Sequence, residues 1–254
     1  MTRPPTSPSP SSEPLFTPAG IIPTDEQRNI QTCRARHVIA MANAGAAKTT
    51  TLALRIAESV TRGVWPESII ALTFSGEAAR VLKARLVEIG LDEKLARRIR
   101  CTTFEEFAQQ VLGAFEGGQA PFLASHDAVA PHVRAAVRKL QLENSMRRTP
   151  RELWLPEHND QIFEFLSLAG QLKARLVKPG VEDGESIEER AGFLDLPESV
   201  FLRYCLMEAE RAGYGDAPRG RAGFDATYDL ACMLTSEDCA IELPAFRIVV
   251  VDEL

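Results

Sequence analysis

Short apolar runs alternating with helically spaced stretches restrict the first 115 residues to few folds. Residues 37–42, 68–74 and 99–103 are runs of strand length and composition. Behind each lies a helical pattern. Leu52, Leu54, Ile56, Ala57 and Val60 repeat at helical spacing up to a stop at Gly63, as do Ala78, Val81, Leu82, Leu86 and Ile89 ahead of Gly90. A third helix is expected over 104–115. Strand–helix alternation of this kind predicts an α/β domain built on a mainly parallel sheet. A further helix starts near Thr24, where Thr24-Asp25-Glu26-Gln27 places a hydroxyl at the N-cap and Gln27 at the third helical position.

After Gly117-Gly118 the pattern changes. From 120 to 240 the periodicity is helical throughout, with Pro197 opening a helix that runs toward Gly213. Residues 246–251 then return to strand composition and end in Asp252-Glu253. The expected organisation is a Pro/Ser-rich tail (1–19) without fixed structure, an α/β domain (20–118), an all-helical insertion (119–240) and a return strand (241–254).

Composition narrows the classes further. A net charge of −6 disfavours a surface that is basic everywhere, though a local positive groove survives it. Five cysteines without a close pair indicate neither a disulfide framework nor a zinc site, so they are read as small buried or half-buried thiols. No run approaches the roughly 20 apolar residues that span a bilayer, and the first residues lack a signal-peptide pattern, so no membrane contact and a cytoplasmic location are expected.

The chemistry concentrates at two places. Ala42-Asn43-Ala44-Gly45-Ala46-Ala47-Lys48-Thr49-Thr50 has the order strand, small-residue loop, Lys-Thr, helix. Consecutive backbone N–H groups and a helix N-terminus in that order make a positive nest for phosphate oxygens. Lys48 is the candidate for the β- and γ-phosphates of ATP, and the Thr49 hydroxyl for the Mg²⁺ shell. Alanine at 47 stands where such loops carry glycine; if the backbone there needs a positive φ, alanine costs about 1–2 kcal/mol. At the end of the last strand, Asp252 is placed to hold Mg²⁺ and Glu253 to orient the attacking water. The catalytic candidates are therefore Lys48 and Glu253.

Taken in order, these segments resemble superfamily-1 DNA helicases of the UvrD/Rep kind. The likeness covers about 20–112 and 220–254 well and the middle loosely. It implies a RecA-like P-loop domain with ATP and Mg²⁺ as cofactors and single-stranded and duplex DNA as partner. It also implies 3′-to-5′ movement, with DNA-repair or mobile-element proteins as partner classes. Thr24 to Gln27 resembles the Q-motif, which gives Gln27 the adenine edge. Ala71-Leu72-Thr73-Phe74-Ser75-Gly76-Glu77-Ala78-Ala79 resembles the segment lining the single-strand path, as does Thr102-Thr103-Phe104-Glu105-Glu106-Phe107-Ala108. Phe74 and Phe104 would then stack on bases, while Thr73, Ser75 and Thr103 donate to phosphates. Gly76-Glu77 and Glu105 depart from the family by removing positive or donor character, which implies reduced DNA affinity. Phe224 to Leu230 and Val251 to Leu254 resemble the stretches at the second acidic motif.

Basic clusters at Arg97-Arg98-Arg100, Arg147-Arg148-Arg151 and Lys173-Arg175-Lys178 are candidates for phosphate contacts on or near the insertion, though such clusters are ordinarily solvated faces. The one around Lys173 is favoured as a phosphate contact, because the family's insertion often carries a lysine-bearing helix. The family's motif continues beyond Leu254, and its second RecA-like domain comes later. The chain alone is therefore expected to bind Mg-nucleotide weakly, to turn it over negligibly, and to expose apolar surface at its last strand. A non-enzymatic module binding nucleotide or single strands is the alternative. A small-molecule kinase would leave the Thr73-Phe74-Ser75 and Thr103-Phe104 segments unexplained.

Overall fold

A computed structural model describes residues 13–41, 43, 45–118, 120–123, 125–150, 156, 158–212, 220–223, 225–236 and 239–252. The chain divides into two compact units: residues 1–107 with 244–254, and residues 108–243.

The first unit is built on a three-stranded parallel sheet in the order β2-β1-β3, with β1 Ile69–Thr73, β2 Arg100–Thr103 and β3 Ile248–Val251. Ala71 sits opposite Cys101 on one side and Val250 on the other, so β1 is laddered along both edges. All five β1 residues are buried. A strand buried on both faces needs a helix on each route between parallel neighbours, and the chain supplies them. Helices α1 (Asp25–Thr32), α2 (Lys48–Thr61), α3 (Gly76–Glu88) and α4 (Glu93–Arg98) belong to this unit. Ala53, Leu54, Ile56 and Ala57 of α2 join Leu82 and Leu86 of α3 over Ile69, Ala71 and Val250. The α1 start is the expected capping box: Thr24 accepts from the Gln27 backbone while Gln27 accepts from the Thr24 backbone.

Two expectations fail here. Residues 37–41 form no strand, and Val38, Ile39 and Met41 are 42, 82 and 94% exposed. The apolar content suits a strand, but a strand exists only in a ladder. Among the described residues, β3 bonds to β1 alone and leaves Val249 56% exposed on the edge strand. The tail is the other case. Residues 1–12 lie outside the described residues, whereas 13–19 are placed, with Phe16 buried. The Leu15 and Phe16 backbone N–H groups donate to the buried Glu58 carboxylate of α2, which also accepts from Gln31.

The second unit is helical: α6 (His126–Ser145), α7 (Asn159–Ala174), α8 (Ile187–Phe193), α9 (Glu198–Ala212) and α10 (Asp225–Leu234). The boundary between units falls inside α5 (Phe104–Phe115), between Phe107 and Ala108. Val133, Ala136, Phe165, Leu172, Phe201 and Tyr204 fill its core. Tyr204 and Tyr228 both donate to the Val177 carbonyl, at 2.9 and 2.8 Å, pinning the turn after α7. Cys33, Cys101, Cys205 and Cys232 are half-buried free thiols, and Cys239 is exposed.

Glu58 gives a pH test. Burial opposes its charge, but the Leu15, Phe16 and Gln31 donors and Arg62 outweigh that and hold its carboxyl below the usual range. A depressed carboxylate stabilises above its unfolded pKa and loses that contribution as pH falls through the folded value. Glu58→Gln is expected to cost about 1–3 kcal/mol near neutral pH. In urea unfolding the gap from wild type should shrink steadily as pH drops below about 4.5. A pH-independent gap would refute the latch.

Candidate functional site

The loop before α2 takes the shape its residues allow. Ala46 N–H donates to the Asn43 carbonyl at 3.1 Å, closing a turn. Gly45 (φ 80°) and Ala47 (φ 54°, ψ 38°) are both left-handed, and α2 begins directly at Lys48. Ala47 therefore pays the alanine penalty foreseen from the sequence. No side chain caps the α2 N-terminus, and its first turn holds no acidic residue. The first N–H groups of a 14-residue helix thus keep their attraction for an anion. Asn43 and Gly45 to Ala47 are exposed, and Lys48, Thr49 and Thr50 half-buried. Ala42 and Ala44 lie outside the described residues.

A contact the sequence did not reveal supports this loop. Gln27 Nε2 donates to Thr51 Oγ1 at 3.3 Å, and Thr51 Oγ1 donates to the Ala47 carbonyl at 3.2 Å. The proposed adenine reader is thus tied to the strained residue through Thr51. A threonine four residues after 47 was the available signal.

The acidic end is placed in part. Asp252 is buried at the C-terminal end of β3, its N–H donating to the Leu72 carbonyl at 3.0 Å. Glu253 lies outside the described residues. Because 37–41 makes no ladder with β3, no strand pairing among the described residues ties the loop to the strand that carries Asp252.

The ends of β1 and β2 are adjacent by register, Thr73 opposite Thr103. There Phe74, 63% exposed, meets the half-buried Phe104 with ring centroids 5.2 Å apart. Thr73 is a correction: it is fully buried and donates its hydroxyl to the Ser75 carbonyl, so it cannot serve a phosphate from this position. Ser75 is exposed and caps α3 by accepting from Ala78 N–H. Thr103 and Glu106 cap α5 reciprocally. Thr102 and Thr103 hold the Glu106 carboxyl below its ordinary range by hydrogen bonding to it.

The basic clusters are partly engaged within the protein. Arg97 pairs with Glu93, Arg98 with Glu67, and Arg100 lies 5.4 Å from the Phe107 ring. Lys173, the favoured exception, is a second correction: it is buried and paired with Glu208 and Asp225. A lysine on an apolar helix face enters a core when carboxylates wait there, and those carboxylates are 35 and 52 residues away. Arg147, Arg148, Arg175 and Lys178 are exposed, and Arg151 lies outside the described residues.

Ala47→Gly tests the strain. At a right-handed helical position glycine costs about 0.5–1 kcal/mol relative to alanine. At position 47 the relieved strain should cancel or exceed that cost, so urea unfolding should show unchanged or greater stability. A clear loss of stability would mean that the left-handed loop is not the populated form.

A family model described as the UvrD/REP helicase N-terminal domain matches residues 23–165. Among curated proteins, a probable DNA helicase of Mycoplasma pneumoniae is 34% identical over 88 residues, covering 34% of this chain and 16% of that protein. A probable DNA helicase II homolog of the same organism is 34% identical over 103 residues, 40% of this chain and 14% of its own length. The ATP-dependent DNA helicase PcrA of Leuconostoc citreum is 40% identical over 76 residues, 30% of this chain and 10% of its own. The matched stretches therefore span less than a fifth of each of these relatives.

Proposed function

This chain belongs to the UvrD/REP helicase N-terminal domain family, and we propose that it forms the nucleotide-gripping part of an ATP-driven DNA motor. The proposed architecture is a RecA-like P-loop unit interrupted by a helical insertion. The observation that carries the reading is the left-handed pair Gly45 and Ala47, opening onto an uncapped helix that starts with Lys48-Thr49.

That arrangement suits a polyphosphate. The α2 N–H groups supply donors, Lys48 a mobile positive charge for the β- and γ-phosphates, and Thr49 a hydroxyl for a hydrated magnesium ion. Asp252 would hold the ion through water, and Glu253 would orient the water that attacks. Magnesium, when bound, neutralises charge on the phosphates. Gln27 contributes through Thr51, so adenine contact and loop shape are coupled. Single-stranded DNA would cross the Phe74–Phe104 pair, of which Phe74 is exposed and Phe104 half-buried, stacking without reading sequence, with Ser75 and Thr103 toward phosphates. Unwinding and 3′-to-5′ polarity belong to this proposal through the relatives' family alone.

A second reading, a binding module without turnover, is favoured by one observation: among the described residues, no strand pairing ties the loop to β3, at whose end Asp252 stands. ATP turnover with and without single-stranded DNA, measured in the natural full-length product, separates the two. In the motor reading, the strand stimulates turnover and Lys48→Ala lowers Mg-nucleotide affinity at least tenfold. In the module reading, the affinity loss occurs without stimulated turnover. Equal nucleotide binding by wild type and Lys48→Ala would eliminate both. Phe74→Ala should weaken single-strand binding by about 1–3 kcal/mol in a fluorescence titration, with the nucleotide affinity unchanged.

A further inference from the structure

We infer that the helical unit carries a ligand site of its own, a cavity suited to a small amphipathic amine. The cavity, about 730 Å³, lies among α6, α7, α9 and the start of α10. That volume falls within the range of about 300–1,000 Å³ common for small-molecule sites. Its walls are apolar, with Leu123, Val129, Leu166 and Met207 facing the space. Its polar lining comprises Ser125, His132, Ser167 and Gln171 together with four charged residues that are each more than nine-tenths buried, Lys173, Glu208, Arg211 and Asp225.

The charges select the ligand's head group. Arg211 donates to Glu208 and Asp229, and Lys173 pairs with Glu208 and Asp225. Arg221 pairs with Glu116 and Asp229 behind them. Three cations thus face four carboxylates, leaving the network one negative charge in excess. Burial opposes the charges of Asp229 and Arg211, yet their mutual hydrogen bonds prevail, lowering the first pKa and raising the second. Both therefore stay ionised. Arg203, another buried cation of this unit, lies 4.1 Å over the Phe165 ring, and neither residue lines the cavity. Glu208 Oε1 accepts no well-directed hydrogen bond: Lys173 Nζ is 2.7 Å away, but off the bonding direction. An ammonium head would fill that acceptor and balance the excess charge, while its apolar body covers the walls.

Gly170 is an independent sign. It lies within α7 and lines the same cavity, and apart from its chain neighbours and the backbone of its own helix no heavy atom stands within 4 Å of where its Cβ would be. Glycine inside a helix is destabilising relative to alanine, and nothing steric demands it here. Its missing side chain widens the cavity.

The test uses the full chain and two fluorescent probes with the same dansyl ring and five-carbon chain, dansylcadaverine ending in a primary amine and N-pentyl-dansylamide ending in a methyl group. Saturable, blue-shifted binding of the amine probe is expected, at least tenfold tighter than its neutral match. Gly170→Phe should abolish it, with the helical circular dichroism retained. If that variant does not fold, Gly170→Leu plugs the cavity with a smaller side chain, and Glu208→Gln should erase the preference for the amine. No saturable binding, equal affinity for both probes, or wild-type binding by a folded plugged variant would each overturn the proposal.

Discussion

Everything in the first unit depends on the burial of β1. A parallel strand laddered on both edges and covered on both faces can hold only apolar or fully paired residues, and Ile69 to Leu72 are apolar. Burying such side chains contributes about 1.5–3 kcal/mol each, before the entropy of ordering the chain is set against it. The same constraint explains Thr73, the strand's last residue and its only polar one. It is too deep for solvent, so its hydroxyl must find a backbone acceptor, and the Ser75 carbonyl provides it. One step later the chain leaves the sheet and Phe74 is exposed. Burial thus decides which residues of this segment can meet a ligand.

Local signals were legible in the sequence to the residue. The Thr24–Gln27 capping box, the start of α2 at Lys48 and its end at Thr61, and the full extent of α5 are set by neighbours in the chain. Three of the four expected strands also formed. What escaped depended on distant partners. The run 38–41 is apolar like β3, but β3 finds β1 and 37–41 finds no ladder. Phe16 sits in a proline-rich stretch that reads as tail, and only its distant partners show why it is held: Glu58, 42 residues away, accepts from its N–H and Gln31 donates to its carbonyl. Lys173 looked like a surface cation because its two carboxylates lie on later helices. Periodicity cannot report such pairings.

The acidic balance of the chain takes on a different meaning in three dimensions. Net charge was an argument against DNA as a partner, but the sum conceals how the charges are used. Arg98, Arg100, Arg211, Arg221 and Lys173 are all engaged with carboxylates or rings of the chain itself. Such residues stabilise or orient helices and lend little field to the outside. Exposed cations such as Arg147, Arg148, Arg175 and Lys178 are what remains for a polyanion. Stacking on Phe74 and Phe104 therefore has to supply a larger part of any strand affinity here, which also implies a shallower salt dependence than a basic groove would give.

Ala47 brings the fold and the proposed chemistry together. A left-handed alanine persists only where surrounding contacts over-determine it, and strain of this kind tends to sit where a ligand is gripped. Here the Asn43–Ala46 turn acts on one side, and the Thr51 N–H and hydroxyl both donate to the Ala47 carbonyl on the other. Thr51 is itself held by Gln27 on α1. A ligand that draws Gln27 away weakens one restraint on the loop, while one that fills the α2 N-terminus adds another. Base and phosphate contacts would then be coupled through a single threonine, making loop shape sensitive to whether the whole nucleotide is present.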